Sequence, residues 1–300
     1  MLVPTHLRDL HLAAEEHPRG QPHLSAASGL VRVGRQLYVV ADDEHHLGVL
    51  ALDGDPREPV RLHRLREGDL PQDPAQRKRR KPDLEALAAL PATEAWPHGA
   101  LLALGSGSRS NRNRAWIFPL DAQGGLHSTP LPLDLEPLYA ALRSRFEDLN
   151  IEGAFLGGGR CHFLQRGNQA TPAHACIAYE LQEVLGWLAK ASAPAPEPLL
   201  VSEYALGAID GVGLGFTDGA ALPDGGWIFS AVAEDTHDSY ADGRCAGSAI
   251  GWVSAEGHLL RIEELRGAPK VEGIALRPGG GLLMVTDADD PARPSQLLAA

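Results

Sequence analysis

A weak internal repeat is the feature of this sequence that most limits its fold. Five segments each consist of a short strand, a turn rich in Gly or Pro, and a strongly apolar strand. Their first strands contain the pairs Ser28-Gly29, Glu85-Ala86, Glu152-Gly153, Asp210-Gly211 and Glu272-Gly273. If the first members of these pairs are equivalent, their residue numbers place the units 57, 67, 58 and 62 residues apart. A recurring unit that cannot bury its apolar face alone is typical of repeat folds such as propellers.

Each unit continues with further strands. A third apolar strand is predicted at 47–52, 115–120, 175–179, 249–253 and 297–299, and a fourth, alternating strand follows in the first four units. Four antiparallel strands per unit make a propeller blade. We expect the alternating segment 5–12 to supply the strand that the fifth unit lacks, which would close the ring and remove an exposed sheet edge. The sequence therefore predicts an all-β, five-bladed β-propeller formed by residues 1–300 as one domain.

Two insertions interrupt the strand pattern. Leucines recur at helical spacing within 134–146, where Asp134 is a candidate N-cap, and again within 181–188. We expect one or two short helices that decorate the third blade.

Charge and cysteine content narrow the functional classes. The net charge of −12 argues against general nucleic-acid binding, because phosphate backbones require a basic surface. The three cysteines, Cys161, Cys176 and Cys245, form no close zinc-binding pair, and we interpret them as reduced thiols. The N-terminus lacks the pattern of a signal peptide, and no apolar run is long enough to predict a membrane span. These features favour the cytoplasm and predict no membrane or nucleic-acid partner. They leave the oligomeric state open.

The repeat predicts a metal site on the central axis. Equivalent positions on the innermost strands face one channel, and they carry Ser28, Glu85, Glu152, Asp210 and Glu272. Carboxylates crowded in a channel must share protons or bind a cation. Calcium, which accepts about 6–8 oxygen ligands in loose geometry, fits this set better than magnesium, which needs a stricter octahedron. Two alternatives remain open: the side chains could bond the neighbouring blade, or they could share protons without a metal.

Polar residues are expected around the same end of the channel. Basic and amide side chains that suit an anion are Lys81, Arg109, Asn111, Arg112, Arg114 and Lys270. Candidate general bases are Asp42, Asp43, Glu234 and Asp287. No phosphate-binding loop and no Gly-x-Ser-x-Gly elbow is present in the sequence. His45-His46 lacks a helical context and a third ligand, so the pair does not predict zinc.

The inner-strand motifs resemble those of a known enzyme family. Asp83-Leu84-Glu85, Asn150-Ile151-Glu152-Gly153 and Val271-Glu272-Gly273 are similar to the motifs of five-bladed calcium-activated apyrases. In that family two serines and three glutamates surround one axial calcium, and the enzymes hydrolyse nucleoside di- and triphosphates. The resemblance implies calcium ligands at Ser28, Glu85, Glu152 and Glu272, with Asp210 standing where the family has a serine.

A second resemblance covers nearly the whole chain. The segments Lys81-Pro82-Asp83-Leu84-Glu85, Gly105-Ser106-Gly107-Ser108 and Thr286-Asp287-Ala288-Asp289-Asp290 are similar to a family of uncharacterised bacterial propellers of unknown function. Propellers with esterase-like or lactonase activity share the Glu-Gly pairs. These likenesses imply fold and ring geometry but no substrate. Two functions remain open: a metal-dependent hydrolase of a small phosphate ester, phosphoanhydride or lactone, and a non-catalytic binding propeller with a structural metal.

Overall fold

A computed structural model of the chain describes residues 1–190, 194–237 and 243–300. These residues form five antiparallel sheets, which confirms the five-bladed propeller. Blade one contains β2 (Ala27–Val33), β3 (Gln36–Ala41), β4 (His46–Ala51) and β5 (Arg61–Arg64). Blade two contains β6 (Leu84–Leu90), β7 (Ala100–Gly105), β8 (Arg114–Pro119) and β9 (Leu131–Asp134), and blade three contains β10 (Ile151–Gly157), β11 (Arg160–Gln165), β12 (Ala175–Glu180) and β13 (Leu200–Glu203).

The N-terminal strand closes the ring, as the alternating pattern predicted. Blade five has the strand order β1-β21-β20-β19, with β1 at Thr5–Asp9, β19 at Val271–Leu276, β20 at Leu282–Thr286 and β21 at Gln296–Ala299. Strand β1 runs antiparallel to β21 and pairs Thr5 with Ala299. Leu10, just after β1, is fully buried in the core between blades one and five. The sheet edge that β21 would otherwise expose is therefore covered.

Blade four differs from the predicted four strands. It has five, in the order β14 (Ala208–Ile209), β15 (Val212–Ala221), β16 (Trp227–Asp235), β17 (Arg244–Val253) and β18 (Leu259–Glu264). A tight turn at Asp210 and Gly211, with φ values of 50° and 81°, joins the added strand β14 to β15. The inner strand of blade four therefore begins after Asp210 and ends at Ala221.

Three α-helices occur in the described part of the chain. The predicted insertions form α2 (Glu136–Arg143) and α3 (Leu181–Ala189), whereas α1 (Pro74–Arg80) was not predicted. Helix α1 begins where the Asp73 carboxylate accepts the backbone N–H of Gln76 at 2.8 Å, with Pro74 in the first turn. Among the residues described, no helix has the length and hydropathy needed to cross a bilayer.

A β-bulge at the same point of every inner strand explains the Glu-Gly pairs. The pairing register shifts at Ser28, Glu85, Glu152, Thr217 and Glu272. Such bulges redirect a side chain out of the ladder, here toward the axis. The glycine that follows permits close packing between blades: a Cβ on Gly153 would lie 2.9 Å from the Cα of Asp218, and a Cβ on Gly273 would lie 2.8 Å from the backbone N of Leu30.

Candidate functional site: a charged cavity on the propeller axis

Four of the five predicted ring residues reach one central cavity. Ser28, Glu85, Glu152 and Glu272 line a space of about 80 Å³ at the end of the axis where the inner strands begin. Ser28, Glu152 and Glu272 are 4–7% exposed as whole residues, so they are almost withdrawn from bulk water. The structure therefore brings together the ring positions of blades one, two, three and five.

The prediction for blade four was wrong. Asp210 is exposed in the turn before β15, and Thr217 occupies the bulge position instead. The hydroxyl of Thr217 lies 2.8 Å from the Ser230 Oγ and 2.9 Å from the Val271 carbonyl oxygen, so it bonds protein groups rather than lining the cavity. The Asp-Gly sequence at 210–211 resembles the repeated pair of the inner strands. In the structure it forms a turn whose residues need positive φ.

Arg166 of blade three lines the cavity on the side where blade four contributes no ring side chain. A Cβ on Gly215, two residues before Thr217, would lie 2.9 Å from the Cγ of Arg166, so this glycine makes room for the arginine. The guanidinium lies 2.6 Å from Glu234, 3.2 Å from Glu152 and 3.9 Å from Glu272. Burial lowers the pKa of Arg166, but these three carboxylates outweigh that effect and raise it, so the side chain stays charged.

Lys270 is the second cation on this side of the cavity. Its Nζ lies 2.6 Å from Asp289, 3.3 Å from Asp287 and 3.4 Å from Glu272. Burial raises the pKa of Glu272 to about 8, although Lys270 and Arg166 act against the shift. Glu152 and Glu272 thus have protein cations as counter-ions, and two of the predicted general bases, Glu234 and Asp287, are tied into the same network.

Lys81 is the third cation and lies on the opposite wall of the cavity. Lys81 contacts Asp42, and its Nζ lies 3.0 Å from Asp83. Arg112 approaches Asp83 to 2.7 Å. Burial raises the pKa of Asp42 to about 7, with Lys81 acting in the other direction. Asp42 is therefore the predicted general base whose pKa lies near neutrality.

Glu85 differs from the other cavity carboxylates. It forms neither a hydrogen bond nor an ion pair with any residue that the structure describes. Burial, followed by the negative charge of Glu152, raises its pKa well above the ordinary range. Carboxylate oxygens of Asp42, Asp83 and Glu85 lie within 4.8 Å of one another, close enough to share one ion. The residues present therefore fit an oxygen-coordinated cation on the Glu85 side of the axis.

The cavity carries more acidic than basic groups. Among the described residues that line it are seven carboxylates and five cations, which give a formal charge of −2. The carboxylates are Asp42, Asp83, Glu85, Glu152, Glu234, Glu272 and Asp287, and the cations are Lys78, Lys81, Arg112, Arg166 and Lys270. One divalent ion or two protons would neutralise this excess.

A wider space of about 200 Å³ adjoins the cavity beneath helix α1. Asp43 lines it, with an oxygen 3.0 Å from the Nε of Arg77 and 3.5 Å from Arg19. Lys78 and Lys81 line both spaces and connect them. The predicted base Asp43 is therefore at the entrance rather than on the axis.

Three of the predicted anion-binding residues lie outside the cavity. Arg109 and Arg114 are exposed and do not line it, and Asn111 instead donates to the carbonyl oxygens of Arg79 and Lys81. We expected all the predicted residues of the loop 109–114 at this end of the channel, but among them only Arg112 lines the cavity. Lys81, Arg112 and Lys270 do line the cavity, so half of the predicted set is brought together.

Sequence reasoning missed Arg166, Asp83 and Asn150. The last two carried a signal: Asp83, Asn150 and Lys270 each stand two residues before a ring glutamate, and all three line the cavity. Asn150 donates to the Glu152 carboxylate at 2.5 Å. Arg166 follows a strand end without any recurring partner, and only the folded chain reveals its position.

A second group of metal-type side chains comprises His17, Glu44 and His46. The Nδ1 of His17 accepts backbone N–H groups of Arg19 and Gln21 at 3.1 and 3.3 Å, so its Nε2 carries the proton and faces Glu44 at 3.1 Å. Both ring nitrogens are thereby engaged, and neither offers a lone pair to a metal.

Comparison with known families shows which family the chain belongs to. A model of the family of unknown function DUF6929 matches residues 23–300. The chain belongs to this family. A search of the curated proteins gave no match. Among solved structures similar to this member of DUF6929, a candidate glycoside hydrolase from Parabacteroides distasonis aligns with a TM-score of 0.52 and 11% identity, over 99% of this chain and 93% of that one. A luciferin-regenerating enzyme aligns with a TM-score of 0.47 and 9% identity, over 99% and 94%. At these identities the likeness concerns the fold alone.

Proposed function

We propose that the central cavity binds one divalent cation, calcium by preference, and through it a small anionic substrate. The observation that carries the proposal is Glu85, a carboxylate facing the cavity without a hydrogen bond or ion pair to any described residue. The formal charge of −2 supports a single divalent ion as its counter-charge. Glu152 and Glu272 already have Arg166 and Lys270 beside them, so the ion is expected at Glu85, off the exact axis of the ring.

The ligands of the proposed ion are Glu85, Asp42 and Asp83, with water completing the shell. These carboxylates are close enough to share an ion. Lys81 now lies against Asp42 and Asp83 and would have to turn toward the entrance when the ion binds. Calcium tolerates such an irregular oxygen shell better than magnesium does.

The size of the cavity limits the substrate. The two connected spaces measure about 80 and 200 Å³, below the ~300–1,000 Å³ of sites that enclose drug-sized ligands. A phosphate ester or lactone head group fits this space, whereas the base and ribose of a nucleotide would remain outside. Lys78 and Lys81 supply positive charge where the two spaces meet.

The position of Asp42 favours hydrolysis as the activity of this site. With one carboxylate oxygen on the ion, its other oxygen would accept a proton from a coordinated water. A bound cation would supply charge stabilisation to the substrate oxygen and lower the pKa of a coordinated water. Arg112 and Lys78 would hold the anionic group in place.

The alternative is a binding propeller in which the cation is structural. It is favoured by the ion pairs of Glu234 and Asp287, which leave these two predicted bases engaged with Arg166 and Lys270. Under this alternative calcium raises the melting temperature, and no substrate is consumed.

The test begins with Glu85→Gln and its matched control Glu183→Gln, an exposed residue of α3. Isothermal titration of chelator-treated protein with calcium should give one saturable site in the parent and in Glu183→Gln. Glu85→Gln should bind at least tenfold more weakly. A panel of p-nitrophenyl phosphate, nucleotides and lactones, each assayed with calcium, magnesium or EDTA, then separates the two functions. Equal calcium affinity in both variants, or no calcium binding by the parent, would remove the metal site.

A further inference from the structure

The seam between blades three and four contains a cavity that the axial site does not use. It measures about 380 Å³ and is bounded by the turns at Gly157-Gly158, Gly225-Gly226 and 254–257. These turns lie at the far end of the strands: β10 carries Glu152 at its start, near the axial site, and Gly157 at its end. The volume lies within the ~300–1,000 Å³ range of small-molecule sites. The two cavities have no lining residue in common.

Aromatic rings form one wall of this seam cavity. Phe155 and His162 are stacked with centroids 4.6 Å apart and planes 7° from parallel. Trp227 lies 5.2 Å from Phe155, and Tyr204 meets Trp227 edge-on at 5.7 Å. All four side chains line the cavity. Such a wall offers flat π surfaces for a planar ring to stack on.

The repeat provides an internal comparison for His162. By strand register, the equivalent positions in the other blades hold Tyr38, Leu102, Ile228 and Leu283. All four are buried, three of them are aliphatic, and they belong to the packed cores. Opposite them on the third strand, blade two has Ile117 where blade three has Ala178. Blade three therefore has His162 and Ala178 where blade two has Leu102 and Ile117, which fill the seam between blades two and three. This exchange leaves the seam between blades three and four open.

The polar groups in the seam have a defined arrangement. The Nε2 of His162 lies 3.3 Å from the Gly157 carbonyl oxygen and therefore carries the proton, and its Nδ1 faces the Cys176 Sγ at 3.5 Å. Burial lowers the pKa of His162 to about 4, so the ring is neutral at physiological pH. The cavity also borders on Ser202, and its mouth carries one residue of each charge, Arg160 and Glu256. These groups can orient a polar substituent without demanding a net charge.

We propose that this seam cavity binds a small, uncharged, planar aromatic molecule of one or two rings. The ring stacks on the wall formed by Phe155, His162, Tyr204 and Trp227, and a hydroxyl or ring N–H of the ligand bonds Ser202. The site is independent of the axial cation.

The test uses 2-naphthol and indole as ligands of the full chain. Titration calorimetry should give saturable 1:1 binding to the parent protein. The double variant His162→Leu with Ala178→Ile installs the blade-two residues, which fill the seam, and should weaken binding at least tenfold without lowering the melting temperature. Ala178→Ile alone serves if the double variant does not fold. Ile117→Val changes the equivalent position in blade two and should bind as the parent does.

A second readout does not depend on variants. The ring current of saturating 2-naphthol should shift the NMR resonances of the His162 ring, which lines the cavity, while those of the exposed His98 stay unchanged. Absence of saturable binding of both compounds to the parent, or equal affinity in the filled variant, would overturn the site. Neither outcome depends on calcium, so failure here is separable from failure of the axial proposal.

Discussion

The guanidinium of Arg166 lies 3.2 Å from the carboxylate of Glu152, two residues that face each other across the end of blade three. Both side chains are about 10% exposed. The pair means that the protein itself supplies a counter-ion to the ring of carboxylates. The first prediction below depends on this counter-ion.

Arg166→Met should destabilise the protein and strengthen cation binding at the same time. Removal of one partner from a buried ion network leaves uncompensated charge and typically costs about 3–5 kcal/mol of the free energy of unfolding. The same change makes the formal charge of the cavity more negative, so calcium should bind more tightly. Urea denaturation and calcium titration measure the two effects, with Arg166→Lys as the charge-preserving control. Unchanged stability together with unchanged calcium affinity would contradict the network.

Metal-free protein should lose stability as the pH rises from 6.5 to 8.5. Burial raises the pKa of Asp42 to about 7 and of Glu272 to about 8, so the folded state holds protons in this range that the unfolded state has already released. Stability from a raised carboxyl pKa is complete below the unfolded value and is lost as the pH passes the folded value. The lowered pKa of His162, about 4, acts in the opposite direction but only below about 6.5.

Thermal melts across that window test this pH dependence. The melting temperature in EDTA should fall by roughly 5 °C. Saturating calcium should flatten the curve, because the ion replaces the protons. A melting temperature that rises with pH in EDTA would show that the cavity carboxylates are not proton-bound.

Leu10→Ala should destabilise the closure of the ring. Leu10 is fully buried between blades one and five, and truncation of a buried leucine costs about 2–5 kcal/mol. Leu7→Ala, in the same segment but 37% exposed, is the control and should have little effect. Deletion of residues 1–12 should lower the melting temperature by more than either. Equal melting temperatures for the two point variants would argue against closure by this segment.

Asp218→Asn should destabilise the contact between the inner strands of blades four and five. One carboxylate oxygen of Asp218 accepts the backbone N–H of Gly219 at 2.8 Å and the other that of Ile274 at 2.9 Å. An amide has one acceptor oxygen, so a buried N–H would lose its partner at a cost of about 1–3 kcal/mol. Asp210→Asn is the control: this residue is exposed, and Asn tolerates its positive φ. Chemical denaturation should separate the two variants, and equal midpoints would contradict a role for Asp218 in joining blades.

The repeat made most of the fold predictable, because strand and turn signals are local. The closing strand was predictable because unit five lacked a strand and 5–12 alternated. Helix α1 was missed although Asp73-Pro74 is a start signal, because the basic residues that follow show no apolar periodicity. Strand β14 gave only two residues of pattern, too few to detect.

The candidate site was predictable only where its residues recur. Glu85, Glu152 and Glu272 share a register position, so the sequence aligned them. Blade four has Thr217 at this position, and an Asp-Gly turn seven residues earlier imitated the motif. Arg166 reaches the cavity because Gly215 of the next blade leaves room for it, and a contact between different blades has no periodic signal.

The pairing of Thr5 with Ala299 has a consequence for how the protein is made. These partners are separated by 294 residues, and a ribosome adds about 5–20 residues per second, so β1 waits roughly 15–60 s for β21. During translation the first blades can fold one by one, but the backbone of β1 has no strand to pair with until β21 is made. Chaperones that bind short alternating segments would act at this stage, before β1 pairs with β21 and closes the ring.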